Sequence, residues 1–167
     1  MHIQDFHLFH GAVLTKLFRK DRPISLCLVE TNLIDSWSAY KIIDAVLYIK
    51  HNKKPSIRKK KDAFVWQFRF NEKHLNEIKN FQTDQKIKEV CFALVCGQSA
   101  INDSMYICFL KVDDMSKCID LSSSKGQTIH VKRIDGHKLL VWGEVNTAKA
   151  PLKIASDAIE KWEVPGS

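Results

Sequence analysis

The alternation of apolar and polar positions divides the chain into helix-like and strand-like segments. Apolar side chains recur at helical spacing through residues 3–18 and again through residues 72–81, where Asn71 is suited to cap the helix. Residues 64–70 instead alternate with a period of two, which is typical of a strand with one buried face. Residues 90–96 are apolar throughout, so we expect a strand that is covered on both faces.

Shorter apolar segments and turn residues complete the predicted fold. Further strands are predicted over residues 24–29, 38–43, 45–51, 105–112, 128–134 and 137–142, and a last helix over residues 151–162. Asp135 and Gly136 form the strongest hairpin signal in the chain. Because strands mostly follow strands, the predicted class is α/β in the broad sense, or α+β. We expect a curved, mostly antiparallel or mixed sheet with an N-terminal, a middle and a C-terminal helix.

Length and composition are those of one ordinary globular domain. The chain has 167 residues, of which 45% are hydrophobic and 27% charged, so a single domain over residues 1–167 is expected. No apolar run reaches the roughly 18 residues of a membrane span, and the first charges follow the first apolar stretch instead of preceding it. The five cysteines form no C-x-x-C pair, which argues against a disulfide framework or a structural zinc site. We therefore expect a cytoplasmic protein without membrane contact.

The positive charge is concentrated in one segment, and this changes the functional picture. The net charge is +7, and residues 50–61, which we name the basic segment, contain no acidic residue. Its cations are Lys50, Lys53, Lys54, Arg58, Lys59, Lys60 and Lys61. Pro55 within it predicts a loop that is held out from the sheet on a hairpin. Such a loop can neutralise phosphates, so it predicts nucleic-acid binding; alternatively, it is a solvated loop that protects an edge strand from aggregation.

Three residues at predicted strand ends are candidates for metal-dependent catalysis. Glu30 ends the first strand, Asp44 begins another and Lys50 ends it. The order helix, three strands, helix, strand resembles the core of restriction-type nucleases, and this resemblance implies carboxylates that hold Mg²⁺ and a lysine that orients water. The acid-x-lysine pair of those nucleases is absent; the nearest forms are Tyr48-x-Lys50 and Gln67-x-Arg69. An active enzyme and a degenerate relative that only binds are both compatible with the pattern.

Two other groups of reactive side chains have simpler explanations. Cys96 ends an apolar strand and could act as a nucleophile if His130 or His137 approached it, but a buried cysteine before a turn glycine is expected instead. His7 and His10 share a helix face and could bind a metal together with His2. No acidic or cysteine ligand stands at a matching spacing, so surface or core-edge histidines are expected.

A second class of function remains open at this point. The chain could be a non-catalytic subunit of a larger intracellular assembly, in which the basic segment meets an acidic protein partner. In that case apolar edge strands, Trp142 or Trp162 would form the interface. Binding that weakens steeply with salt would favour the nucleic-acid class, whereas a salt-insensitive oligomer would favour the subunit class.

Overall fold

The computed structural model describes residues 5–18, 24–32, 36–60, 63–98 and 105–166, and it describes only the backbone of residues 31–32 and 57–60. Within these ranges the helices are α1 Asp5–Phe18, α2 Glu72–Thr83 and α3 Val112–Cys118. The strands are β1 Leu26–Asn32, β2 Trp37–Ile42, β3 Ala45–Asn52, β4 Ile57–Lys60, β5 Ala63–Phe70, β6 Glu89–Cys96, β7 Tyr106–Lys111, β8 Gln127–Ile134, β9 Leu139–Trp142 and β10 Leu152–Ile154. None of the helices in the described ranges is long and apolar enough to cross a membrane.

The first sheet is mixed and has the strand order β1-β2-β3-β6-β7. Its neighbours are antiparallel except for β3 and β6, which run parallel and pair Ala45 with Glu89 and Asn52 with Cys96. The connection between these two strands carries β4, β5 and α2. Every residue of β6 after Glu89 is buried, which confirms the expectation of a strand covered on both faces.

The second sheet is antiparallel throughout and has the strand order β10-β9-β8-β5-β4. On β5, Trp66, Phe68 and Phe70 are buried, whereas Gln67 and Arg69 are exposed. This alternation confirms the prediction of a strand with one buried face. The hairpin between β8 and β9 turns at Gly136, whose φ of +76° suits glycine.

The first sheet lies in the middle of the molecule, with an apolar core on each face. The core between the two sheets also contains side chains of α2 and α3; its largest members are Trp37, Tyr48, Trp66, Phe68, Phe70 and Phe92. The other face of the first sheet is covered by α1 and by Ile159, Trp162 and Val164. The fold is therefore α+β, as predicted, but it is built from two packed sheets rather than one.

The expected C-terminal helix over residues 151–162 is replaced by a strand and turns. Leu152–Ile154 forms β10, which pairs with β9 through Leu152 and Val141, and residues 156–161 are turns. Ile159 and Trp162 are nevertheless buried in the core against α1. The apolar spacing therefore identified Ile159 and Trp162 as buried. The helix does not form because residues 152–154 make backbone hydrogen bonds to β9 at the edge of the second sheet.

Candidate nucleic-acid interface

The carboxyl end of β3 opens into a cleft of about 380 Å³. Its lining residues are Lys50, His51, Asn52, Gln67, Phe68, Arg69, Asn71 and His74. The first three come from the end of β3, and the others come from the end of β5 and the beginning of α2. The cleft therefore lies where the two sheets meet the amino terminus of a helix.

Lys50 reaches this cleft because it ends a buried strand. Val46 and Tyr48 face the core between the sheets, and the strand period places Lys50 on the same face. The residue is only 7% exposed, and its Nζ lies 5.8 Å from the centre of the Phe70 ring. Its aliphatic stem packs on apolar surface while its ammonium group contributes charge to the cleft.

Hydrogen bonds between the sheets fix the floor of the cleft. Asn52 Nδ2 donates to the carbonyl oxygen of Gln67 at 2.9 Å, and the carbonyl oxygen of Asn52 accepts from Gly97 N at 2.8 Å. Trp66 Nε1 in turn donates to the carbonyl oxygen of Gly97 at 2.7 Å. These bonds join β3, β5 and the end of β6, so the polar groups of the cleft stand on rigid elements.

The amino terminus of α2 adds a partial positive charge to the cleft. The Asn71 side chain accepts from His74 N at 3.0 Å, and Asn71 N donates to His74 Nδ1 at 3.3 Å, which together form a capping box. The helix is 12 residues long, so its dipole favours negative charge at this end. Of the described residues that line the cleft, Lys50 and Arg69 are cationic and none is acidic. The cleft is therefore suited to an anion.

A histidine pair connects the cleft with α1: His51 lines the cleft and is half-buried, and His10 is buried behind it. His10 Nδ1 lies 2.6 Å from Ser38 Oγ, and His10 Nε2 lies 3.1 Å from His51 Nδ1. Burial is the main cause that lowers the pKa of His10 to about 3 and the pKa of His51 to about 4. Both rings are therefore neutral at neutral pH, and they link α1 to the first sheet instead of adding charge to the cleft.

The three predicted catalytic residues do not meet at one place. Lys50 lines the cleft, but Asp44 lies in the turn before β3, where its Oδ2 is 2.7 Å from Lys88 Nζ. Asp44 and Lys50 are at opposite ends of β3, roughly 20 Å apart along the strand. Glu30 is exposed on β1 and lies in register with Ala39, two strands away from β3.

Glu30, Asp44 and Lys50 are therefore too far apart to form one magnesium site. The described residues contain no group of three or more histidine, cysteine, aspartate or glutamate side chains that could hold a metal ion. Glu30 and Lys50 nevertheless lie on the same face of the first sheet, the face that is directed toward the second sheet. Glu30 pairs with Ala39 and Ala39 pairs with Tyr48, and Lys50 lies two residues after Tyr48 on the same strand face. The catalytic roles stay predictions.

The basic segment contains both the loop that Pro55 predicts, at residues 53–56, and an edge strand that was not predicted. Residues 57–60 form β4, which pairs with β5 through Ile57 and Val65. Ser56 N donates to the Val65 carbonyl oxygen at 2.7 Å, so pairing begins directly after the proline. Edge strands accept lysine-rich sequences because one side of the backbone faces solvent. Lys61 lies outside the described residues.

The first part of the basic segment leads from the cleft to β4. Lys54 N donates to Asn52 Oδ1 at 3.2 Å, and Lys54 is exposed. Lys53 Nζ lies 2.7 Å from Asp5 Oδ2, and both side chains of this ion pair are about half exposed. The basic segment thus begins at the cleft with Lys50 and continues through Lys53 and Lys54 into β4.

The other candidate groups have structural roles. Cys96 is fully buried, and burial raises its pKa well above the ordinary value of a thiol. His130 lies in register with Gln67, on the outer face of the second sheet and away from the core that contains Cys96. His7 is exposed, and His2 lies outside the described residues. Cys27 is exposed, and the other four cysteines are buried and free.

Sequence reasoning missed most of the cleft. Arg69, Asn71 and His74 belong to it, yet no motif connects them with Lys50 in the sequence. The available signals were indirect: the period of β5 placed Arg69 on the exposed face, and Asn71 was recognisable as a helix cap. Comparison of the chain with protein-family models, with curated proteins and with solved structures found no match.

Proposed function

We propose that this protein is a nucleic-acid-binding domain that contacts phosphates in the cleft and along the basic segment. The observation that carries the proposal is the acid-free lining of the cleft, where Lys50 and Arg69 stand beside the amino terminus of α2. A phosphate placed there would meet two full positive charges and the helix dipole. Each neutralised phosphate releases counterions, which is the main source of sequence-independent affinity.

The order of the cations along the chain supports an extended contact rather than a single anion site. From the cleft, the basic segment passes through Lys53 and Lys54 and continues into β4, which lies next to β5. β4 pairs with residues 63–65 at the beginning of β5, and Arg69 lies roughly 13 Å further along that strand. The ion pair of Lys53 with Asp5 is exposed on both sides and of the kind that contributes little, so a phosphate can replace it.

Metal-dependent cleavage is a second candidate, favoured by the order of elements in the first sheet. The chain runs α1, β1, β2, β3 and, after the β4–β5 hairpin, α2 and β6, with β6 parallel to β3. Helix, three strands, helix and strand is the order in the restriction-type nucleases that the sequence resembles. Cleavage would need Mg²⁺ near Lys50, and Glu30, two strands away, is the predicted acid on the same face of the first sheet.

A protein-interaction subunit is the third candidate, favoured by exposed apolar side chains on β1. Leu28 is 51% exposed and Val29 is 48% exposed, and β1 is an edge strand of the first sheet. Exposed apolar edge strands are sites at which another chain can add. In this reading the cleft and the basic segment would contribute little to the function.

Fluorescence anisotropy separates these candidates. Purified protein would be titrated into labelled duplex DNA, single-stranded DNA and RNA at several salt concentrations. The variant Lys54→Gln/Arg69→Gln removes two exposed cations of the proposed contact, and the control Lys117→Gln/Lys161→Gln removes two exposed cations of α3 and of the 156–161 turns. We expect at least a tenfold weaker affinity and a salt slope reduced by about 1.5 to 2 in the first variant only.

Two results of this experiment would overturn the proposal. An equal loss of affinity in both variants would show a general effect of net charge, without a site. No binding at about 50 mM salt, where phosphate contacts are strong, would exclude the nucleic-acid class. Cleavage of a bound oligonucleotide only when Mg²⁺ is present would establish the nuclease candidate.

A further inference from the structure

The outer face of the second sheet is open and carries a distinctive set of side chains. Strands β5, β8, β9 and β10 direct alternate residues away from the core between the sheets. The residues on this outer face include Gln67, Arg69, Thr128, His130, Lys132, Leu140, Trp142 and Lys153, together with Val65, which is buried although it points outward. Arg69, Gln67 and Lys153 are exposed, and His130 and Trp142 are only half-buried. Among the described elements, no helix packs on this face.

Two aromatic rings lie parallel at the centre of the outer face. Gln67 pairs with His130 and His130 with Trp142, so the three residues form one row across the sheet. The ring centres of His130 and Trp142 are 5.2 Å apart, and their planes differ by 4°. Within the described structure, His130 Nδ1 has no hydrogen-bond partner, although the atom is buried. Neither ring belongs to an apolar core, so packing inside the protein does not explain the pair.

Burial keeps the histidine of this pair uncharged. It is the largest influence on the pKa of His130 and lowers it, although Glu144 acts in the opposite direction. The neutral imidazole and the Trp142 indole are stacked face to face, and a further flat ring can extend such a stack.

The aromatic pair is surrounded by cations. Arg69 lies along β5 on one side of the row, and Lys132 and Lys153 lie on the other side, in line with Leu140. Glu144 lies near this face, and its two carboxylate oxygens accept from Thr128 N at 3.0 and 3.1 Å. Its charge is therefore held beside the beginning of β8, and the outward-pointing residues named above include three cations and no acid.

We infer that the outer face of the second sheet stacks an unpaired base on the Trp142–His130 pair while Arg69, Lys132 and Lys153 bind the flanking phosphates, so that the ligand is a single-stranded nucleic acid. This inference rests on the proposed function and names its substrate. A base in a duplex is stacked on both faces and paired along one edge, so it has no free face with which to extend this stack. An unpaired base of any identity can, because every base has a π face.

The outer face and the cleft form one path. Gln67 and Arg69 belong to both: they line the cleft, and they are also the residues of β5 that point outward. A strand with a phosphate at Arg69 could therefore continue across the sheet toward Trp142. A protein partner fits this surface less well, since the aromatic pair is enclosed by three cations and interface cores are depleted of charge.

The test uses the intrinsic fluorescence of tryptophan together with binding. The chain has four tryptophans, and Trp37, Trp66 and Trp162 are buried. Quenching by an added oligonucleotide therefore reports mainly on Trp142. Oligothymidylate and oligouridylate of about 12 nucleotides, and a duplex of equal length, would be titrated into the full chain. We expect both single strands to quench the fluorescence and the duplex to leave it unchanged.

Substitutions then assign the effect to the outer face. Trp142→Ala should weaken single-strand binding by about tenfold, whereas Trp142→Phe should keep most of the affinity and lose the quenching. Thermal melting of both variants would show whether the fold is intact, and Trp142→Phe keeps the test valid if the alanine variant unfolds. Stronger binding of oligouridylate than of oligothymidylate would identify RNA as the source of the strand, and the reverse would identify DNA.

Failure of this inference can be told apart from failure of the proposed function. Single-strand binding that neither quenches Trp142 nor changes in Trp142→Ala would overturn the stacking site and leave phosphate binding intact. Binding of the duplex alone would do the same. If no oligonucleotide binds at about 50 mM salt, the proposed function itself is wrong.

Discussion

Lys50 is the residue on which the cleft depends most. It is only 7% exposed near the end of β3, and its Nζ lies 5.8 Å from the centre of the Phe70 ring. Lys50→Met replaces the stem with an apolar chain of similar length, so we expect the free energy of unfolding to change by less than about 1.5 kcal/mol. Oligonucleotide affinity should fall by at least about tenfold, because one buried phosphate contact is lost. Urea unfolding and anisotropy measure the two effects separately.

Lys41 provides the control for this prediction. It lies on β2, is half-buried and is remote from the cleft lining. Lys41→Met should leave the affinity within about twofold of the original. If Lys41→Met and Lys50→Met weaken binding equally, the loss reflects net charge and the cleft is not the site.

The histidine pair predicts a pH dependence of stability. The folded pKa values of His10 and His51 are about 3 and about 4, below the value of 6.5 for an unfolded chain. Because the unfolded state takes up protons first, stability is fully present above about pH 6.5 and is lost as the pH falls toward the folded values. Each histidine contributes a slope of up to about 1.4 kcal/mol per pH unit.

Urea unfolding at about pH 7.5 and about pH 5 measures this slope. Carboxylates also titrate toward acidic pH, so the comparison with His51→Asn isolates the histidine contribution. The variant keeps a polar atom near the position of Nδ1 but cannot take up a proton. We expect a shallower loss of stability in His51→Asn; a loss as steep as in the original chain would mean that this pair is protonated in the folded state.

At the scale of elements, the C-terminal segment is attached to the first sheet by one carboxylate. Trp162 Nε1 donates to Glu89 Oε2 at 2.8 Å, and Lys111 Nζ lies 2.7 Å from Glu89 Oε1. Burial acts to raise the pKa of Glu89, but the hydrogen bonds from Lys111 and Trp162 outweigh it and lower the pKa. The segment after β10 therefore docks through a polar contact as well as through its apolar side chains.

Removing that carboxylate should loosen the segment. Glu89→Ala leaves the indole N–H of the buried Trp162 without an acceptor, which costs about 1–3 kcal/mol of the free energy of unfolding. The neighbouring Glu163 is exposed, so Glu163→Ala should change stability by less than about 0.5 kcal/mol. Thermal melting of both variants measures the difference. Equal melting temperatures would show that the Trp162–Glu89 bond does not stabilise the fold.

The elements with local signals could be predicted from the sequence. The helices α1 and α2 follow the apolar spacing, the Asn71 cap forms, and the β8–β9 turn occurs at Gly136. Elements that depend on distant partners could not. Leu152–Ile154 forms a strand because β9 lies beside it. The lysines of β4 hide the strand pattern in the sequence, since an edge strand tolerates charged residues.

The cleft shows the same limit. Lys50 was predicted because it lies in the basic segment, but its neighbours Arg69 and His74 come from the other sheet and the following helix. The hydrogen bond from Asn52 to the Gln67 carbonyl oxygen brings the two sheets together at the cleft. Both residues are visible in the sequence, but their pairing across the sheets is not. A pattern read along one strand carries no information about which strand it will face.

At the scale of the whole molecule, the distribution of charge supports the proposed nucleic-acid class over the interaction-subunit class. The net charge is +7, and the cleft, the basic segment and the outer face of the second sheet are all reached from β5. A ligand that follows this route would contact cations continuously. The exposed apolar side chains of β1 belong to the other sheet, so the two candidate interfaces are separate surfaces.

The salt dependence of binding therefore gives the last prediction. If Lys50, Lys54, Arg69, Lys132 and Lys153 each bind one phosphate of a single strand, the logarithm of the affinity should fall against the logarithm of the salt concentration with a slope of about −3.5, since each contact contributes about −0.7. Removing Lys132 and Lys153 together should reduce the slope by about 1.4, and anisotropy from about 50 to about 300 mM salt measures it. A slope near zero, with a stable oligomer in size-exclusion chromatography, would mean that apolar contacts dominate. The exposed edge at Leu28 and Val29 would then be the surface on which the protein acts.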